Sequence, residues 1–239
     1  MKTFALALLG MLLCLASQAA APVEICPKLS VLGAEKIGLT ESEKRLLCGD
    51  PQAKDWQDVP ESQALFSLKG FLQDRGYYYP VVTRNGNKAV IDIGKQTFIE
   101  RIELRGAPAQ MTRFDRENSK GELLTPALLR GVVADISARL GKYGYACPKV
   151  TTEADPQTGK VSITIEAGEV QNLIRVKEDH IPGIAPRTLR RYDAFVIGET
   201  YRGDLLPLSA SRTVADGIVR NSFFNVHCTP EGVVAEQKV

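Results

Sequence analysis

KYGYACPKV (residues 142–150), followed after a turn by GKVSITIEAGEV (159–170), restates RGYYYPVV (75–82) followed by NKAVIDIGKQ (87–96). Gly144-Tyr145 lies 68 residues after Gly76-Tyr77. In both copies an apolar stretch at helical spacing precedes the Gly-Tyr, and two alternating runs joined by a turn follow it. Self-similarity at a fixed period marks a repeat architecture, so each copy is read against its siblings. A third copy follows, in which GETYRGDLLPLSASRTVADGIVRNSFFNV (198–226) restates GELLTPALLRGVVADISARLGKYGYACPKV (121–150). Gly121 to Gly144 spans 23 residues and Gly198 to Ser222 spans 24, which predicts that Ser222-Phe223 stands where the earlier copies have Gly-Tyr.

The middle copy is the most legible. TFIERIEL (97–104) alternates apolar and charged residues as a half-buried strand does. Thr125-Pro126 supplies an N-cap and a first-turn proline. Leu128, Leu129, Val132, Val133, Ile136 and Leu140 then form one helical stripe that runs toward Gly144. KVTTEA and KVSITIEA flank Asp155-Pro156-Gln157-Thr158-Gly159, a hairpin connection. The first copy ends alike, with Leu65, Leu68 and Leu72 on a helix, then VVTR and AVIDI around Asn85-Gly86. LSVLG (29–33) is its candidate opening strand and TESEKRLLCG (40–49), capped by Thr40, its first helix. In the third copy NLIRVKED (172–179) opens, PRTLRRYDAF (186–195) is the first helix, Val214, Ile218 and Val219 stripe the second, and FFNVHC with VVAEQKV closes. The expected fold class is α+β, with tandem βααββ units at 28–94, 97–168 and 170–239, each a three-stranded sheet with two helices on one face.

Residues 1–20 read as a secretory signal peptide: Lys2, an apolar run from Phe4 to Ala16 interrupted only by Gly10, then small residues up to Ala20. The run is shorter than the roughly 20 residues of a membrane-spanning helix, and Cys14 lacks the preceding small residue that lipidation requires. Cys26, Cys48, Cys147 and Cys228 remain after processing, an even number that permits disulfides in an oxidising compartment. Cys26 and Cys48 share the first unit and are expected to bridge. Cys147 and Cys228 hold near-equivalent places in consecutive units, which predicts that they lie about a domain length apart and leaves their redox state open.

Other chemistries find little support. No CxxC pair exists and the only histidines are His180 and His227, which argues against zinc. A formal net charge of +2 with both signs scattered points away from nucleic acid as a partner. RTLRR (187–191) reads as a solvated helix face. No nucleophile elbow, phosphate loop, dinucleotide fingerprint or acid–base carboxylate pair stands out, so no catalytic residue and no cofactor is expected.

The order strand, helix, helix, strand, strand, with GELLTPALLRGVVADISARLGKYGY (121–145) and TIEAGEVQNLIRV (164–176), resembles the polypeptide-transport-associated (POTRA) domain. The match is good over 97–239 and loose over 28–94. Such domains stand in tandem in the periplasmic arms of outer-membrane barrel assembly factors, of the translocation and assembly module and of two-partner secretion transporters. The resemblance implies a non-enzymatic array in the periplasm, associated with the outer membrane, that docks unfolded outer-membrane or secreted polypeptides and partner proteins. The chain stops on its closing hairpin, from which a longer parent chain is expected, and the resemblance implies an outer-membrane β-barrel as a partner, in that parent or in a complex. A free-standing periplasmic scaffold or chaperone-like binding protein is the alternative, and a secreted enzyme a further one.

The resemblance also implies that the strand after each Gly-Tyr is an open edge, which maps to Val81, Val82 and Thr83 and to Lys149, Val150 and Thr151. Such an edge can pair its main chain with an extended guest, while the same residues would equally serve to complete a sheet. Gly76-Tyr77 and Gly144-Tyr145 read first as fold determinants, the glycine ending the helix and the tyrosine packing back across it. Gly94 and Gly168 read as joints between units. Trp56 reads as a surface anchor or a core cap.

Overall fold

A computed structural model describes residues 21–50, 52–53, 59–111 and 119–239. The expected leader at 1–20, with Cys14, and Trp56 lie outside the described residues. The chain divides into two compact units, one made of the residues up to Lys69 with Tyr79–Gly94, the other of Gly70–Tyr78 with Lys95–Val239.

In the first unit β1 (Val23–Cys26) and β2 (Leu29–Leu32) precede a short α1 (Ala34–Ile37), α2 (Glu41–Cys48) and α3 (Glu61–Gln73), which ends past the unit boundary. β3 (Val81–Asn85) and β4 (Lys88–Asp92) close the unit. The sheet order is β1-β2-β4-β3, with β2 parallel to β4. Thr40 begins α2 through a reciprocal capping box: its Oγ1 accepts from the Glu43 N–H at 3.2 Å, and Glu43 Oε2 accepts from the Thr40 N–H at 2.8 Å. β1 is an addition to the expected unit. Its four residues start ahead of residue 28 and carry too little periodicity to be read alone, yet they pair antiparallel with β2. Cys26 is bonded to Cys48, with Cα atoms 5.4 Å apart, so β1 is stapled to α2.

The second unit holds two further sheets. β5 (Arg101–Arg105), a 3-10 turn at Ala109–Met111, α4 (Pro126–Lys142), β6 (Lys149–Asp155) and β7 (Lys160–Glu166) come first, with sheet order β5-β7-β6. β8 (Leu173–Glu178), α5 (Pro186–Arg190), α6 (Leu205–Ala215), β9 (Phe223–Thr229) and β10 (Gly232–Lys238) follow, with order β8-β10-β9. In both sheets the opening strand runs parallel to the middle one and the hairpin partner antiparallel. The fold is thus α+β on three small sheets. α4 forms where its stripe predicts: Thr125 Oγ1 accepts from the Leu128 N–H at 3.1 Å, and Ile136 and Leu140 are fully buried beside Ile99, Leu124 and Ile163.

The third repeat departs from its expected register. α6 has 11 residues against 17 in α4, and it stops at Ala215, so Ile218 and Val219 lie beyond it. Its buried face is instead Leu206, Ser209, Ala210 and Thr213. Ser209 Oγ donates to Leu205 O and accepts from the Ala194 N–H, both at 2.8 Å, so a polar side chain sits there without cost in unmet hydrogen bonds. The Gly217 N–H donates to Val214 O at 3.0 Å and the Ile218 N–H to Thr213 O at 3.1 Å. Tyr77 and Tyr145 reach back five residues in the same way, to Leu72 O at 2.8 Å and Leu140 O at 3.2 Å. Gly217-Ile218, not Ser222-Phe223, is therefore the third counterpart of Gly-Tyr. Ser222 lies in the link that follows, and Phe223 begins β9.

That shift corrects the cysteine expectation. Cys147 stands three residues past its helix-ending glycine, ahead of β6, whereas Cys228 stands eleven past Gly217, near the end of β9. The two places are not equivalent. Cys147 and Cys228 are bonded to each other, with Cα atoms 6.3 Å apart rather than a domain length apart.

Candidate functional site

Each sheet leaves one hairpin strand at its rim, because β3, β6 and β9 each pair with a single strand among the described residues. A rim strand keeps a row of outward N–H and C=O groups that another extended chain can use. Val81, Val82 and Thr83 open β3, where all five residues are exposed, Val81 by 57% and Val82 by 48%. Lys149, Val150 and Thr151 open β6. Lys149 and Thr151 are exposed, the Lys149 ammonium lies 3.4 Å from the Glu166 carboxylate, and Val150 packs half-buried on the core.

The opposite rims are less available. β1 is short and its register with β2 breaks between Glu24 and Cys26. Just ahead of β5, Ile99 donates to Glu122 O and accepts from the Gly121 N–H, both at 2.8 Å, so a passing segment straps that side. Glu103 on β5 sits 3.0 Å from Lys160, 3.2 Å from Arg101 and 3.3 Å from Arg105. The Lys160 hydrogen bond, ahead of the surrounding positive charge, holds its carboxyl below the usual carboxylate range. At β8, Leu173 donates to Glu199 O at 2.9 Å and accepts from the Gly198 N–H at 2.7 Å, a second strap. Charge and coverage are two ways in which sheets blunt an edge.

β9 was not among the expected edge residues. Phe224 and Val226 pack on the core, with the Phe224 ring 5.7 Å from that of Phe195 in an edge-to-face contact, while Phe223 is 49% exposed. Between α6 and β9 lies a groove of about 640 Å³ lined by Tyr201, Leu206, Ala210, Val214, Phe223 and Val226, all uncharged. The sequence signal that marks this edge is the helix end at Gly217-Ile218, after which the alternation FFNVH begins six residues on, one more than the five that separate Gly144 from KVTTE.

Gly76 and Gly144 both take the left-handed conformation, with φ of +79° and +94°. A Cβ on Gly144 would stand 2.7 Å from Val170 and 2.9 Å from Thr200, so the site excludes any side chain twice over. Tyr77 and Tyr145 are buried, and Tyr145 belongs to the core around Ile136 and Leu140. A Cβ on Gly94 would meet Tyr79 O at 3.2 Å, whereas one on Gly168 would meet nothing within 4 Å.

The fold has a match among solved structures. The POTRA3-5 segment of Haemophilus influenzae BamA is similar with a TM-score of 0.57 at 18% identity, over 88% of this chain and 94% of that one. The chain has the fold of a POTRA array. BamA from Haemophilus ducreyi lacking POTRA domains 1-3 is similar at 17% identity and a TM-score of 0.49, over 59% of this chain and 29% of that one. POTRA1-3 of Omp85 from Anabaena is similar at 13% identity and a TM-score of 0.39, over 83% and 88%. No family model matches the chain, and no curated protein matches it by sequence. β3, β6 and β9 each stand first in the closing hairpin of their sheet and pair with its middle strand.

Proposed function

We propose that this chain is a periplasmic POTRA array, with modules at 28–94, 97–168 and 170–239, that docks extended segments of unfolded polypeptides on β3, β6 and β9 for outer-membrane protein assembly or secretion. The observation that carries this reading is the recurrence of one free hairpin rim per sheet, with the opposite rim strapped, bulged or charged. Main-chain pairing gives affinity without demanding a side-chain sequence, which suits many clients. The two disulfides fit an oxidising compartment. The BamA POTRA3-5 segment above shares the fold, and a membrane barrel in the same chain or in a complex is the partner this role calls for.

The test is amide hydrogen exchange with and without an unfolded outer-membrane polypeptide. Added client is expected to slow exchange at 81–85, 149–155 and 223–229. Protection confined to helices, or none, overturns the proposal.

A further inference from the structure

We infer that the Cys147–Cys228 disulfide joins the free edges β6 and β9 into one composite docking edge with a single chain polarity, which takes one amphipathic strand of about sixteen residues. The inference rests on the strand-docking reading above and adds to it how two edges act together.

Cys147 stands two residues ahead of β6, and Cys228 is the sixth of the seven residues of β9. Bonding them brings the C-terminal end of one free edge against the N-terminal start of the other. Read through the joint, the main chain runs 223 to 229 and then 147 to 155 in one sense. The 6.3 Å step between the two Cα atoms is about two residues of extended chain. In the composite edge we infer, a guest paired antiparallel to β6 from Asp155 to Lys149 meets Thr229 next and continues antiparallel along β9 without reversing. Had the bond linked start to start, the guest would need a turn between the edges.

Main-chain bonds and one side-chain amide hold this meeting point. The Gln171 N–H donates to Gly144 O at 3.2 Å, ahead of β6, while its Nε2 donates to Thr229 O at 3.1 Å, the end of β9. Tyr201 donates to Gln171 O at 2.8 Å, and Gly203 donates to Gly141 O at 2.9 Å, where two glycines let the backbones touch. Gln171 thus ties the end of α4, ahead of β6, to the last residue of β9.

The chemistry of the guest follows from the two faces. β6 alternates exposed Lys149, Thr151, Glu153 and Asp155 with half-buried Val150, Thr152 and Ala154. β9 alternates exposed Phe223, Asn225 and His227 with half-buried Phe224 and Val226, and the uncharged groove lies beside it. A guest continuing these sheets has apolar side chains on the helix side and polar ones on the other, with mixed charges opposite it rather than one sign. That is the pattern of a barrel wall strand. Two seven-residue edges each bind weakly, but at fixed spacing the second pairing is intramolecular, a gain on the order of 10²–10⁴.

The experiment uses the oxidised chain and two labelled synthetic peptides of alternating threonine and valine, one of seven and one of sixteen residues, read by fluorescence anisotropy and amide exchange. The longer peptide is expected to bind one per chain, on the order of a hundredfold tighter than the shorter, and to protect 149–155 and 223–229 together. In C147S/C228S, with amide exchange in β7 and β10 first showing that the unit is still folded, the gain of the long peptide over the short one is expected to fall below tenfold. A third peptide, two short segments coupled head to head so that one is reversed, tests polarity on the unaltered chain and is expected to show no gain. If the short peptide binds but the long one gains less than tenfold, keeps its full gain without the disulfide, or is matched by the reversed peptide, the composite edge is overturned and strand docking stands. If no peptide binds either edge, strand docking itself fails and takes the inference with it.

Discussion

Gly144 concentrates several demands in one residue. Its φ of +94° ends α4, its N–H and that of Tyr145 return to the last turn, and Val170 and Thr200 occupy the space a side chain would need. Gly144→Ala is expected to cost about 2 kcal/mol or more, from left-handed strain plus overpacking. Gly168→Ala, with open space around it, is expected to cost about 1 kcal/mol from backbone strain alone. Urea unfolding of the two variants checks the difference. Asp193 makes a pH prediction. Burial first, then the Glu178 carboxylate, pushes its pKa up from 3.8 to about 6, against the pull of Arg190. A raised acid pKa means that the folded chain holds this proton more tightly than the unfolded one, so stability falls as pH rises from about 4 to about 6 and the loss is complete above that. Asp193→Asn removes the penalty. Allowing for partial solvent contact, it is expected to stabilise the chain by about 1–2 kcal/mol at pH 7.5 and to change little at pH 4, measured by thermal melts across that range.

At the scale of elements, α6 and β9 decide whether the third sheet offers a docking edge at all. Val214 sits on α6 at the rim of the groove, 37% exposed, so Val214→Glu is expected to alter folding stability by no more than about 0.5 kcal/mol. The same change places a charge where an apolar guest would lie, and seven-residue peptide binding at β9 is expected to weaken about tenfold, with β6 unaffected, as read by amide exchange at 223–229 and 149–155. Helices with strong caps were legible from the chain itself: Thr40 at α2, Thr125 with Pro126 at α4. Their signals are local, completed within one turn. α6 was misread at its end because SFF follows at nearly the spacing of the earlier Gly-Tyr, while the true stop, Asp216-Gly217, lacks the aromatic that marked the other two. β1 escaped for the opposite reason. A strand of four residues is defined by its partner β2 and by the Cys48 bond, not by its own pattern.

At the scale of the whole molecule, the two disulfides act over very different lengths of chain. Cys147–Cys228 closes 81 residues and Cys26–Cys48 closes 22. Loop-closure entropy predicts that C147S/C228S destabilises the second unit by about 4 kcal/mol and C26S/C48S the first by about 3 kcal/mol. Denaturant dependence of amide exchange, followed separately in β7 and β4, separates the two effects. Repeat period, strand alternation, helix caps and hairpin turns were determined by the sequence alone, since each is a pattern of neighbours whose energetics are settled within a few residues. That β9 offers a third free rim, where the third helix stops, and that Cys147 meets Cys228 were decided only by the tertiary structure. Those outcomes depend on backbones and side chains brought together from dozens of residues apart, and no local periodicity encodes where one sheet comes to rest against the next.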